Sequence, residues 1–259
     1  MDNSVNPENE PDSSANTPEG APQRPLSSLE LPLFPLDLVL FPHMLIPLHI
    51  FEERYREMIN QCVTESLPFG IVLATGTKPG SGETVTHAVG CTARIARVER
   101  LPDGRMNIEV VGESRFRILD THETRSFRTG LTESVVDEPL TDDVGELAEE
   151  VQRLLKDFLT RSLARMGQSI EEFTLPDEPV SLSFMTACVL PIDNDEKQAL
   201  LEETDTEARL ALEKEVLLRE VTRLRRTAET AEETQPTEVQ TVEWHPVKAE
   251  RFADLLSLN

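Results

Sequence analysis

Leu29-Glu30-Leu31-Pro32-Leu33-Phe34-Pro35-Leu36-Asp37-Leu38-Val39-Leu40-Phe41-Pro42-His43-Met44-Leu45-Ile46-Pro47-Leu48-His49-Ile50-Phe51 is dense in large apolar residues and holds Pro32, Pro35, Pro42 and Pro47. A single helix is ruled out, because each proline lacks an amide donor and disfavours helix at the residue before it. The same missing donors rule out one long central strand. The stretch reads as short extended pieces and turns: Leu31–Phe34 extended, a bend through Pro35–Asp37, and a second extended piece near Met44–Leu48. A helix is expected from near Phe51 to residue 65, with Glu52, Glu53 and Glu57 toward the positive end of its dipole. So much irregular apolar chain must lie in a core or serve as a contact surface.

Beyond it, Phe69–Thr75 is a short apolar strand, followed by the loop Gly76-Thr77-Lys78-Pro79-Gly80-Ser81-Gly82. That loop lacks phosphate-loop spacing, and its lysine precedes a proline instead of opening a helix. His87–Val98 and Met106–Val111 read as strands on either side of the turn signal Leu101-Pro102-Asp103-Gly104-Arg105. Val111-Gly112-Glu113 leads into Ser114–Asp120, where Phe116 and Ile118 alternate with Arg115 and Arg117, and Leu131–Val136 is the last strand. Periodicity changes after the acidic link 137–145. Leu147, Val151, Leu154, Leu155, Phe158, Leu159 and Leu163 fall on one helical face, closed by Gly167. Val180–Leu190 is a second apolar stretch, ended by Pro191. Asp193-Asn194-Asp195 caps a third helix, and Thr204 or Asp205 a fourth, which carries Leu210, Leu217, Val221 and Leu224.

The runs Leu31–Leu36, Val39–Pro42 and Ile46–Tyr55 resemble the opening of the Lon N-terminal domain, the substrate-recognition domain of the ATP-dependent Lon protease. Gly90–Ile95, Asp103-Gly104-Arg105, Gly112–Phe116, and Glu196–Glu202 with Arg209-Leu210 are similar to further motifs of that family, so the resemblance spans roughly residues 29–226. It implies an α+β fold: a PUA-like bent β sheet or open barrel over 29–136, then a C-terminal helical bundle over 137–226. Residues 1–28 are acidic and proline-rich with almost no large apolar side chain, which implies a disordered tail. Residues 227–259 read as a polar linker and an apolar tail. Trp244, Val247, Phe252, Leu255 and Leu256 in that tail need a docking surface, on this chain or another.

Formal net charge is −23, which opposes binding to nucleic acid or anionic membranes. No apolar run reaches the ~20 residues of a membrane helix. The N-terminus has no basic or apolar signal region, and Cys62, Cys91 and Cys188 form no pairing or metal motif, which together point to the cytoplasm. Lon proteolysis needs an ATPase and a Ser–Lys peptidase. Neither motif is present, so the expectation is a non-enzyme without a cofactor. His43 and His49 flank one bend without a third ligand, so no metal site is assigned. Arg94, Arg97, Arg100, Arg105, Arg115, Arg117, Arg125 and Arg128 interleave with Glu99, Asp103, Glu109, Glu113, Asp120 and Glu123, as on a solvated, salt-bridged sheet face.

The resulting reading is a non-catalytic module that recognises exposed apolar segments of unfolded or client proteins, with a protease or chaperone as a further partner. Its candidate contact residues are Phe34, Pro35, Leu36, Val39, Phe41 and Pro42, with the adjacent sheet edge. The alternative is an RNA- or small-ligand-binding PUA-like module.

Overall fold

The computed structural model describes residues 29–80, 82–123, 126–168 and 174–232. The proline-rich stretch forms two strands, β1 (Leu29–Leu36) and β2 (Leu45–Ile50), joined by an irregular bend. Helix α1 (Glu53–Glu65) follows and ends where Ser66 turns left-handed. Then come β3 (Phe69–Thr77), β4 (Thr84–Thr86), β5 (Val89–Arg100), β6 (Met106–His122) and β7 (Thr129–Ser134).

Where the sequence suggested two strands meeting at Gly112, the structure has one 17-residue strand, β6. Gly112 serves a close crossing instead of a turn. Its amide donates to the Met44 carbonyl, and its own carbonyl accepts from the His43 amide. A Cβ at this position would lie 2.1 Å from the Phe41 carbonyl oxygen, so only glycine lets the bend pass over the strand.

β6 is the spine of the sheet. Its first part pairs with β2, from Leu45↔Val111 to Ile50↔Met106. Its last part pairs with β7, from Phe116↔Ser134 to His122↔Thr129. β5 runs along its other edge, with register shifts between Cys91 and Ala93 and between Ile95 and Arg97 that help the sheet curl. The path β1-β7-β6-β5-β3 returns on itself, because β1 also lies parallel to β3 from Leu33↔Gly70 to Leu36↔Leu73. The expected bent sheet therefore closes at this point.

Four helices complete the chain: α2 (Val144–Arg165), α3 (Pro179–Val189), α4 (Asn194–Glu202) and α5 (Thr206–Glu232). Their starts follow the local chemistry. Asp193 and Glu196 form a reciprocal capping box, and Asp205 accepts from the amides of Glu207 and Ala208. The Glu178 carboxylate caps α3, with Pro179 in the first turn. α3 buries Leu182, Phe184, Thr186 and Cys188, so it is covered on several sides. On α2, Val151, Leu155 and Leu163 are buried, whereas Leu147 and Leu154 lie half-buried at the margin. α5 continues through residue 227, where a linker was expected, because alanine and glutamate sustain the helix.

One apolar cluster joins the two halves: Val39, Phe41, Leu73 and Val89 pack with Val151, Leu155, Phe184 and Leu217. A second fills the barrel beneath α1 and β2, around Ile50, Met58, Ile59, Phe69 and Ile108. Among the described residues no helix is long and apolar enough to cross a membrane. Residues 1–28 and 233–259 of the tails read from the sequence, Trp244 included, lie outside the described residues.

Candidate functional site

The bend between β1 and β2 sits in the seam between barrel and helices. Phe41 is 0% exposed, and its ring lies 6.4 Å from that of Phe184 on α3. Phe34 packs on Tyr55 at 4.3 Å and on Phe69 at 6.1 Å. Val39 and Pro42 are buried as well. Of the six residues expected to offer a contact surface, Phe34, Val39, Phe41 and Pro42 are thus core, and Pro35 and Leu36 are half-buried. Apolar density alone does not separate a core from a binding surface; the helices that cover this bend come from distant sequence. Asn194, at the start of α4, fixes the bend by donating to the Asp37 carbonyl at 3.1 Å and its carboxylate at 3.3 Å.

A buried polar network fills the same seam. Strand alternation placed Arg115 on the solvent side opposite Phe116, yet it is 3% exposed, because the helices cover that part of β6. Its guanidinium donates to the carbonyls of Leu201 at 2.8 Å and Glu203, and its second nitrogen lies 3.0 Å from Asp137 as an ion pair lacking hydrogen-bond alignment. Arg209 on α5 donates to the same Asp137 oxygen at 2.8 Å, to the Glu203 carbonyl at 2.8 Å and to Ser183 Oγ at 2.6 Å. Both guanidinium groups stand over the Phe184 ring, at 5.3 Å and 4.2 Å. Ser183 donates to Glu213 at 2.8 Å, and burial pushes the Glu213 carboxyl well above the ordinary carboxylate range. Desolvation also lowers Arg115, although Asp137 opposes it. These donors are spent on backbone carbonyls, the shared Asp137 carboxylate, Glu213 and the hydroxyls of Ser183 and Thr206, all within the seam, so the network ties the halves together.

The outer sheet face has the opposite character. Arg94 pairs with Glu113 at 2.6 Å, Arg97 with Glu109 at 3.6 Å, Arg105 with Asp103 at 2.6 Å and Arg117 with Glu133 at 3.9 Å, all partly in solvent. Burial raises the thiol of Cys62 to about 11 and that of Cys188 to about 12, and raises Cys91 as well. Among the described residues no group of three or more His, Cys, Asp or Glu side chains could hold a metal ion.

What remains open is the edge at β2. Among the described residues this strand pairs with β6 alone. The Gly112–Met44 bond sets the even-numbered residues of β2 toward β6, which leaves the backbone groups of Leu45, Pro47 and His49 pointing outward. Leu36, Leu38, Met44 and Leu48 are partly exposed where they pack on the barrel core. Just beyond β2, Phe51 is 62% exposed, with its ring 6.2 Å from that of His49. Sequence reasoning missed this edge; the period-two pattern Ile46, Leu48, Ile50 inward and Pro47, His49 outward is the signal that could have shown a half-buried strand here.

Over residues 30–219 the chain matches the family described as the ATP-dependent protease La (LON) substrate-binding domain. It is 30% identical over 176 residues to the Lon protease of Geobacter metallireducens, covering 65% of this chain and 21% of that protein. It is also 30% identical over 185 residues to the Lon protease of Trichlorobacter lovleyi, covering 68% and 22%. Among solved structures it is similar to a Lon N-terminal domain protein from Xanthomonas campestris, with TM-score 0.52, 27% identity, and coverage of 71% of this chain and 96% of that one. The N-terminal domain of Mycobacterium avium complex Lon protease shares the fold at TM-score 0.57 and 21% identity, over 73% and 98% of the two chains. With the match running from β1 into α5, across both halves of the fold, the chain belongs to the Lon substrate-binding domain family.

Proposed function

We propose that this chain is a non-catalytic binding module that takes exposed apolar segments of unfolded client proteins at the β2 edge. The observation that carries the reading is an edge of β2 left unpaired among the described residues, with half-buried Leu48 on the strand and exposed Phe51 just beyond it. An extended client segment can bond to the outward backbone groups of Leu45 and His49 while its apolar side chains cover Leu48 and Phe51. Pro47 removes one donor from the edge. That limits self-pairing between copies and favours weak, exchangeable pairing with clients. The family's description as a substrate-binding domain supports this role, and the matched segment is only 21–22% of the length of the Lon relatives. Three buried, free thiols fit a reducing compartment such as the cytoplasm.

The test is fluorescence anisotropy with a fluorescein-labelled, permanently unfolded carboxymethylated lactalbumin. Phe51→Asp, at a side chain already in water, should weaken binding by about tenfold, or about 1.4 kcal/mol, with an unchanged melting temperature. Unchanged affinity in both Phe51→Asp and Leu48→Ser would move the site elsewhere. Absence of binding by the parent chain would end the proposal. Incubation with ATP and casein should give neither phosphate release nor peptide products. ATP-dependent degradation by homogeneous protein would refute the non-catalytic part.

A further inference from the structure

Positive charge collects at one end of the helical half. Three contacts align α2 and the turn before it with α5: Thr141 with Glu207, Glu150 with Lys214, and Asp157 with Arg225, each at 2.7 Å. They climb both helices in the same direction, so the two C-terminal portions lie side by side. Over residues 153–165, α2 carries Arg153, Lys156, Arg161 and Arg165 against Asp157. Over residues 219–232, α5 carries Arg219, Arg223, Arg225 and Arg226 against Glu220, Glu229 and Glu232. Eight cations less four carboxylates leave this end at +4, so the rest of a chain with net charge −23 carries −27.

Internal pairing takes up only part of this charge. Asp157 is shared by Arg161 at 2.6 Å and Arg225 at 2.7 Å, and Glu220 by Arg223 at 2.7 Å and Arg219 at 3.4 Å. Arg153, Lys156 and Arg165 form no ion pair among the described residues. Helix dipoles do not account for the pattern either. Their effect is confined to the last turn, whereas α5 continues to Glu232 and α2 to Arg165, beyond most of these cations. Apolar surface lies among the charges. Leu218 is 45% exposed and lines a shallow depression with Arg219, Thr222, Arg223 and Arg226, and Met166 at the end of α2 is exposed too.

We propose that this end of the helical half docks an acidic polypeptide segment with interspersed leucine-like side chains, supplied by a partner protein. Charge complementarity selects the acidic partner, and Leu218 and Met166 select one with apolar side chains. A short peptide fits within the patch. A long polyanion would run out over a body charged −27, and screening reaches only about 8–10 Å at moderate salt. The partner is therefore a protein segment and not nucleic acid. The surface belongs to α2 and α5 and is independent of the β2 edge.

The experiment is anisotropy with a fluorescein-labelled peptide of repeated Glu-Glu-Leu, alongside a fluorescein-labelled oligothymidylate of equal charge. The full chain should bind the peptide at 50 mM NaCl, and affinity should fall about tenfold by 300 mM NaCl. Arg153→Glu with Lys156→Glu, at positions without ion pairs, should weaken peptide binding by at least about tenfold while circular dichroism and melting stay as in the parent. Arg219→Gln with Arg223→Gln is the independent second variant and should weaken it likewise. Phe51→Asp should leave peptide binding unchanged, which separates this surface from the client edge. No peptide binding at 50 mM NaCl, full binding by both double variants, or oligothymidylate binding as tight as the peptide would each overturn the proposal.

Discussion

The outer face of the barrel and the seam behind it use the same residue types to opposite ends. On the outer face, Arg94 and Arg97 reach Glu113 and Glu109 across strands with both partners partly in water. In the seam, Arg115 and Arg209 are 3% and 0% exposed and share the single carboxylate of Asp137. Exposed pairs gain little, because water solvates the separated ions almost as well. Buried ions have lost that solvent, so each depends on its remaining partners. The difference shows that arginine content says little about stability until burial is known.

The largest test removes the shared carboxylate. Asp137→Ala leaves two buried guanidinium groups with backbone carbonyls and the Phe184 ring, and should cost about 3–5 kcal/mol in urea denaturation. A loss below about 1 kcal/mol would place the seam in the same class as the outer face. Next, Gly112→Ala forces a methyl group against the Phe41 carbonyl where the bend crosses β6. It should cost about 1–3 kcal/mol, and parent-like melting would show that the bend can lift off the strand.

The third test uses pH. The Glu213 carboxyl is raised well above 4.5 by burial, so the folded state holds its proton where the unfolded chain has lost it. Its contribution to stability is complete below about 4.5 and declines as pH rises toward its folded value. Glu213→Gln should remove that slope, so the variant gains on the parent as pH is raised from 5 to 8. Parallel stability curves would contradict a protonated Glu213. The smallest effect belongs to the outer face. The coupling energy of Arg94 and Glu113 in a double-mutant cycle should be below about 1 kcal/mol and shrink with salt.

Much of the architecture was legible from local chemistry. The first stretch formed two strands as expected, although β1 runs on through Pro35, where a bend was expected, and only Pro42 lies in the break; the Asp193–Glu196 box opened α4, and the Val151–Leu155–Phe158 spacing gave α2 its buried face. The candidate site was legible only in outline. Phe34, Val39, Phe41 and Pro42 are as apolar as a binding surface needs, but α3 and the barrel sheet bury them. Phe51, in the same stretch, has no such cover. Gly112 looked like a strand break because its crossing partner, Phe41, lies 71 residues earlier and leaves no local trace.

The sequence by itself determined most of the elements, their order and the caps of α4 and α5, since each depends on residues within a turn or two of one another, and its motifs carried the family. The tertiary structure decided which apolar residues face water, which arginine lost its solvent, and where the charges of α2 and α5 add together. Those properties depend on contacts between distant segments: Arg115 meets Asp137 and Arg209, and Asp157 meets Arg225, only after the chain has closed on itself. Burial sets the energy of each such contact, and burial belongs to the whole fold.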